Sequence, residues 1–323
     1  VVTTGAMAAV DQPTDMANSA GAVGVINADF FNIGETGAAV GPAVVGGEHL
    51  KAAVPGKQRY GPSRPGGPDN GTVFGVTDEG KGEISSLALD GKAVTDAGSF
   101  ALDGLNQYAI TVDGVGIFTS DWGEADRQRA VCGTDDDRDG PCSESVREVT
   151  VTDGKVSAVS DSPGSGAIAD NEVVLLARDA GVSDLEGLAE GDAVEVDYQL
   201  ASNDGATMAA AAGAIVLVDE GAPVGELEDS ELAPRTAAGY SEDGNTLYLA
   251  VVDGRSGSSV GATYKTLVDI MTGFGAQDVV NFDGGGSSVL GAADSSGNVV
   301  VRNDPSDGSE RAVPNGIAVF SEG

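Results

Sequence analysis

From Thr246 to Ser288 the chain reads TLYLAVVDGRSGSSVGATYKTLVDIMTGFGAQDVVNFDGGGSS. The apolar run Thr246 to Val252 has the length and composition of a strand and stops at Asp253-Gly254-Arg255-Ser256. Ser258 or Ser259 can cap a helix over about Ala262 to Thr272. In that helix Leu267, Ile270, Met271 and Phe274 fall at i, i+3, i+4 and i+7 on one apolar face. Gly273 or Gly275 can end it. Asp278 to Phe282 reads as the next strand and stops at Asp283-Gly284-Gly285-Gly286-Ser287-Ser288. If the two strands are parallel, the crossover brings both C-termini to one sheet edge, where open α/β sheets bind ligands. Two carboxylates, one guanidinium and a run of backbone N–H groups then meet there.

Outside this unit, Thr14 to Ala20 suits a short helix. Ala22 to Ile26 suits a buried strand ending at Asn27-Ala28-Asp29-Phe30-Phe31. Residues 41 to 71 are loop-like by composition and hold His49 and the cluster Gly61-Pro62-Ser63-Arg64-Pro65-Gly66-Gly67-Pro68. From Thr72 to about Leu200, short alternating runs stop at Asp90-Gly91, Asp113-Gly114 and Asp153-Gly154, each a hairpin signal. The expected class is α+β: a mixed β-sheet with a C-terminal strand-helix-strand unit and a β-rich middle insertion over 75–220, within one domain spanning 1–323. No fixed-period repeat points to a solenoid or propeller.

Charge narrows the partners. With 17 Lys+Arg against 51 Asp+Glu the formal charge is −34, a field that repels nucleic acid and obliges any anionic substrate to find a local cationic pocket. The longest apolar stretch, Met208 to Val218, is too short to span a bilayer, which needs roughly 20 residues, so no membrane insertion is expected. His49 is the single histidine, which disfavours a Ser-His-Asp relay or a multi-histidine zinc site and leaves the chemistry to carboxylates and arginines. The two cysteines, Cys132 and Cys142, bracket an acidic loop and read as one local disulfide, hence a secreted or extracellular protein.

Several clusters can carry chemistry. Gly284, Gly285 and Gly286 lack Cβ atoms, so a ligand can approach the main chain and N–H groups can gather into an anion nest, with the Ser287 and Ser288 hydroxyls beside it; a plain hairpin turn is the bland alternative. Arg235 and Arg255, two of eleven arginines, can grip a phosphate through paired hydrogen bonds or form ordinary ion pairs. Asn27, Asp29 and Phe30 can line a sugar pocket, or Phe30 can belong to the core. Asp135, Asp137 and Asp139 match the first half of a calcium loop, but its twelfth position is Val146, so a structural calcium and a solvated acidic loop both stand. Asn70-Gly71-Thr72 is a glycosylation sequon.

Five ordered motifs resemble the phosphodiester glycosidase family: Ile26-Asn27-Ala28-Asp29-Phe30-Phe31, Arg235-Thr236-Ala237-Ala238-Gly239, Val252-Asp253-Gly254-Arg255, Asn281-Phe282-Asp283-Gly284-Gly285-Gly286-Ser287-Ser288 and Val313-Pro314-Asn315-Gly316-Ile317. The resemblance implies hydrolysis at the anomeric carbon of a sugar-1-phosphodiester, releasing sugar and leaving a phosphomonoester, with no cofactor required for catalysis. On that basis Asp283 is the first candidate for base or nucleophile, with Asp253 or Asp29 second. Arg255 or Arg235 stabilises the departing phosphate. Asn27, Thr236, Asn281 and Asn315, with Phe30, Gly284 to Gly286, Ser287 and Ser288, contact a sugar-phosphate or phosphoglycan substrate. A non-catalytic carbohydrate- or phosphoglycan-binding surface module and a calcium-stabilised surface protein are the competing readings.

Overall fold

The computed structural model describes residues 1–62 and 69–321, so Ser63 to Pro68 of the Gly/Pro cluster lie outside the described residues. The strand-helix-strand unit forms with a different neighbour relation from the simplest one. Strands Leu247–Val252 and Asp278–Asn281 both pair antiparallel with Arg235–Tyr240, which lies between them. The two therefore run in the same direction without touching, and both C-termini still reach one edge. Strand Ile215–Asp219, from within the span read as an insertion, flanks Asp278–Asn281 on the other side. Among the described residues the one parallel ladder joins Gly104–Leu105 to Val115–Phe118, so the sheets are otherwise antiparallel.

The crossover helix is Tyr264–Gly273, and its cap is Thr263, whose hydroxyl accepts from the Thr266 N–H at 3.1 Å, rather than Ser258 or Ser259. Starting there, the helix buries Tyr264, Leu267, Val268 and Met271, and Phe274 falls past its end, 70% exposed. Burial of each such apolar side chain is worth about 1.5–3 kcal/mol. Helix Pro13–Ala20 opens on a proline, whose missing N–H is harmless at that position, and stops at left-handed Gly21. Strand Gly24–Asn27 follows, centred in a second sheet between Asn315–Val319 and Leu290–Ala293.

Residues 41 to 71 are less irregular than their composition implies. Strands Ala43–Val45 and Glu48–Lys51 form a hairpin through Gly46 and Gly47, both at positive φ; such short strands leave no alternation to read. His49 lies in this hairpin, its Nδ1 accepting from the Leu200 N–H at 2.9 Å, a structural role. The middle third is β-rich as expected. Asp153-Gly154 turns a hairpin between Val146–Thr152 and Lys155–Ser160. Asp113 turns the chain into Val115–Phe118, although residues 109–112 are not a strand. Asp90-Gly91 is no turn: strand Gly82–Thr95 runs through it, and a Cβ on Gly91 would meet Leu102 and Tyr198 at 3.2 and 3.3 Å, so this glycine answers to packing.

Ile26, Ala28, Val280, Phe282 and Ile317 share one buried cluster with Phe74 and Tyr240, whose rings stack at 4.3 Å. That cluster presses the sheet holding Gly24–Asn27 against the one holding Asp278–Asn281. Their strand ends meet. No helix among the described residues is long and apolar enough to cross a membrane.

Candidate active site

At this shared edge strands Gly24–Asn27, Leu247–Val252 and Asp278–Asn281 end, while Arg235–Tyr240 and Asn315–Val319 begin, as the registers Asn27 with Gly316, Arg235 with Val252 and Ala237 with Asn281 require. Asn27 joins the two sheets. Its Nδ2 donates to the Asp283 carbonyl at 2.6 Å, and its Oδ1 accepts from the Val289 N–H at 3.0 Å and the Thr236 hydroxyl at 2.8 Å. With every polar atom of a fully buried amide engaged, Asn27 and Thr236 brace the site rather than face a ligand. Asn315 acts likewise, accepting from the Asp29 N–H at 3.0 Å.

A cleft of ≈ 290 Å³ opens above this brace. Asp283 projects into it from the loop after Asn281. Burial pushes its carboxyl up to about 6, against the Ser287 hydroxyl, the Arg311 charge and the Gly284 N–H, which favour the ionised form; the charge of Asp29 adds to the rise. Asn281 lines the same cleft with a buried Oδ1 that has no hydrogen-bond partner, while its Nδ2 donates to the Phe282 carbonyl at 2.6 Å. Phe30 forms part of the wall, only 5% exposed, so it is both core and lining.

Three arginines reach the cleft in different states. Arg235 is buried and held, its Nε donating to the Ala262 carbonyl at 3.0 Å, its Nη2 to the Glu231 carbonyl at 2.9 Å, and its guanidinium 4.4 Å from the Tyr264 ring centre. Arg311 donates to the Ser287 hydroxyl at 3.3 Å and pairs with Asp307 at 2.5 Å. Arg255 is exposed, sits at left-handed φ 54°, and has no hydrogen bond or ion pair among the described residues. Among the described residues it is the cleft guanidinium left open to an incoming anion.

The glycines make room for these side chains. A Cβ on Gly286 would lie 2.2 Å from both Arg311 Nη2 and Asp307 Oδ2, and one on Gly285 3.1 Å from Arg255 Nη1. Three of the N–H groups expected to form a nest are engaged within the chain. Gly285 N–H donates to the Pro234 carbonyl at 2.9 Å, and those of Ser287 and Ser288 close a single 3-10 turn at 3.1 and 3.2 Å. Positive charge at the site comes from arginine side chains instead.

Two candidate carboxylates lie off the cleft. Asp253 Oδ1 accepts from Asn303 Nδ2 at 2.9 Å and the Asp304 N–H at 3.1 Å, tying down the loop behind the site. Asp29 is enclosed between Gly41 and Gly213, where added Cβ atoms would come within 3.1 and 2.3 Å of its Oδ2. That oxygen accepts from the Gly41 N–H at 2.6 Å, and Oδ1 is buried without a partner. Burial raises its pKa, opposed by Arg59 and Lys51. Ser288 Oγ is buried and unpartnered as well.

The acidic loop is closed by the Cys132–Cys142 disulfide, but its carboxylates diverge. Asp135 accepts from the Val112 N–H at 3.0 Å, Asp137 from the Asp139 N–H at 3.0 Å, and Asp139 faces Arg138 at 3.4 Å. Among the described residues no group of three or more His, Cys, Asp or Glu side chains is arranged to hold a metal ion. The sequon residue Asn70 is buried, its Nδ2 donating to the carbonyls of Val54, Pro55 and Gly56, so the nitrogen that would carry a glycan is occupied.

The family model for phosphodiester glycosidases matches residues 145–320, which include Asp283, the three cleft arginines and Asn281. The chain belongs to the phosphodiester glycosidase family. No curated protein matches it. Among solved structures, a hypothetical protein from Synechocystis superposes with TM-score 0.72 at 19% identity, over 98% of this chain and 55% of that one. A putative exported protein from Burkholderia pseudomallei K96243 gives 0.74 at 20%, over 99% and 70%. The catalytic domain of zebrafish N-acetylglucosamine-1-phosphodiester alpha-N-acetylglucosaminidase, auto-inhibited by its pro-peptide, gives 0.46 at 11%, over 98% and 69%. The chain thus spans about half the length of the Synechocystis protein, and the likenesses to the Synechocystis and Burkholderia proteins speak for the fold alone.

Sequence reasoning missed Glu231 and Arg311, which line the cleft, and Arg59, which lies 4.7 Å over the Phe30 ring. Glu231 stands four residues before Arg235, a signal that was available. Arg311 stands four residues after Asp307, but nothing local links that pair to Gly286.

Proposed function

We propose that the cleft hydrolyses the anomeric bond of a sugar-1-phosphodiester, releasing free sugar and leaving a phosphomonoester on the acceptor. The observation that carries this is one carboxyl, Asp283, half-buried with a pKa of about 6, facing a cleft in which, among the described residues, Arg255 is the cation without a hydrogen bond or ion pair. In the reaction the bond between C1 and the phosphate oxygen breaks and the phosphate leaves with the electron pair. Arg255, with Arg235 and Arg311 behind it, neutralises the charge that develops there. Water supplies hydroxide to C1. Asp283, mostly ionised at neutral pH, faces the oxocarbenium-like centre as nucleophile or as base for that water. A phosphodiester is a better leaving group than a sugar alkoxide, so weak general-acid help suffices. We read 1–323 as one catalytic domain with 75–220 as its β-rich insertion, and the chain as secreted, a reading supported by the disulfide and by the exported neighbour.

Incubation with a chromogenic sugar-1-phosphodiester tests the reaction. Equal amounts of free sugar and phosphomonoester are expected from the native protein and at least about a hundredfold less from Asp283→Asn. Binding without release would make the chain a phosphoglycan-binding module.

A further inference from the structure

The acidic loop closed by the disulfide has no part in the chemistry above, yet it braces the segment that leads into one wall of the cleft. Gly61 and Pro62 form that wall, with Gly61 packed so closely on Phe30 that a Cβ would come within 2.2 Å of the ring. Arg59 folds over the same ring and donates through Nε to the Pro62 carbonyl at 2.5 Å, which fixes the turn. Residues 57–60 are then held from outside by residues of the loop, through the Arg59 carbonyl and the side chains of Lys57, Gln58 and Tyr60. Arg138 donates to the Arg59 carbonyl at 2.9 Å and lies 4.2 Å over the Tyr60 ring. Gln58 Nε2 donates to the Thr134 carbonyl, and Asp136 pairs with Lys57 at 3.1 Å. At the base of the loop Arg129 grips the Gln58 Oε1 at 3.1 Å and the Cys132 carbonyl at 3.0 Å.

We infer that Arg138 is a positioning residue for the substrate cleft and that the Cys132–Cys142 bond serves to present it. The inference rests on the proposed reading only for where substrate sits. A closed loop confines Arg138, Thr134 and Asp136 to one side of the 57–60 backbone, whereas an open ten-residue excursion has many other arrangements. Arg138 contacts neither Asp283 nor the cleft arginines among its described partners. Its loss therefore disturbs the wall and leaves the reacting groups in place. The acidic residues acquire a reason for their positions: Asp136 meets Lys57, Asp135 accepts from the Val112 N–H, Asp137 accepts from the Asp139 N–H and Asp139 pairs with Arg138.

The experiment compares Arg138→Ala, Arg138→Lys and the Cys132→Ala/Cys142→Ala pair with the native chain. Hydrogen exchange at residues 58–62 is followed by mass spectrometry, and turnover by the release assay. Arg138→Ala is expected to speed exchange at 58–62 at least about tenfold while leaving the rest of the molecule protected. It should raise KM about fivefold with kcat within about twofold, the signature of lost uniform binding. Arg138→Lys, which keeps the cation over Tyr60, should recover part of both. Cysteine removal should give the same pattern, with little further effect in the triple variant, because both act through one contact set. Unchanged exchange at 58–62 in Arg138→Ala overturns the inference whether or not the protein turns over. Faster exchange with kcat reduced and KM constant overturns the assignment to substrate binding. A native protein with no turnover refutes the proposed reaction and leaves the exchange comparison to decide the brace.

Discussion

Replacing Asp283 by Asn removes one ionisation at almost no change in volume, which makes it a measure of what the cleft imposes on this group. Burial holds the carboxyl at about 6, against an ordinary 3.8 in an unfolded chain. At about 1.36 kcal/mol per tenfold change in proton affinity, ionising it costs the fold about 3 kcal/mol. The sign follows from the direction of the rise. Folding favours the protonated acid, so this contribution is fully present below about pH 4 and is lost as pH climbs through about 6. Asn resembles the neutral acid at every pH. It forfeits part of the acceptor capacity facing the Ser287 hydroxyl and the Gly284 N–H, and the cleft mouth admits some water, which together reduce the expected gain to about 1–2 kcal/mol. For a chain of this size that is a rise in Tm of roughly 1.5–3 °C. Thermal unfolding followed by circular dichroism at pH 7.5 and pH 4.0 measures it. The variant should melt higher than the native protein at pH 7.5, equal to or slightly below it at pH 4.0, and be inactive, a trade of activity for stability confined to one atom. Equal shifts at both pH values, or a loss at pH 7.5, would refute the claim that the site holds a desolvated carboxylate.

Arg311 favours the ionised form of Asp283, so Arg311→Met should move the acidic limb of the kcat/KM profile to higher pH; a limb that stays in place would separate the two groups. Asn27→Ala strips a buried amide from the Asp283 carbonyl, the Val289 N–H and the Thr236 hydroxyl and should lower stability by about 3 kcal/mol in urea unfolding, with kcat falling as the loop loosens. Asp253→Asn, by contrast, should lower stability by about 1 kcal/mol and leave kcat within about threefold, because its carboxylate holds residues 303 and 304 and not substrate. Chelation by EDTA should leave the melting temperature unchanged, since the acidic-loop carboxylates already hold backbone and cationic partners; a rise with added calcium would restore them as a cation site.

Much of the site was legible because strand ends mark themselves. Apolar runs that stop at Asn27-Ala28-Asp29 and Asn281-Phe282-Asp283 place polar residues at an edge whatever the sheet order, so Asp283 and Asn281 were found although a third strand separates the two that flank the crossover helix. Their roles were less visible. Asn27 and Asn315 look like ligand donors in sequence, and only the register of two different sheets shows that their partners are the backbone and Thr236. The triglycine suggested a nest, whereas the reason for Gly286 is a guanidinium and a carboxylate from residues 311 and 307 lying against it. The turn at Asp153-Gly154 and the straight run through Asp90-Gly91 share a dipeptide; what separates them is Leu102 and Tyr198 packed on either side of Gly91. Contacts of that kind arise between distant segments and leave no local trace.

The most direct test is a crystal structure with a sugar-1-phosphate bound. The proposed chemistry predicts the anomeric carbon at the Asp283 carboxylate, within about 3.5 Å as a near-attack geometry requires, and the phosphate paired with the Arg255 guanidinium. A phosphate bound away from Arg255, or a sugar whose anomeric carbon faces Glu231 or solvent instead of Asp283, would contradict it.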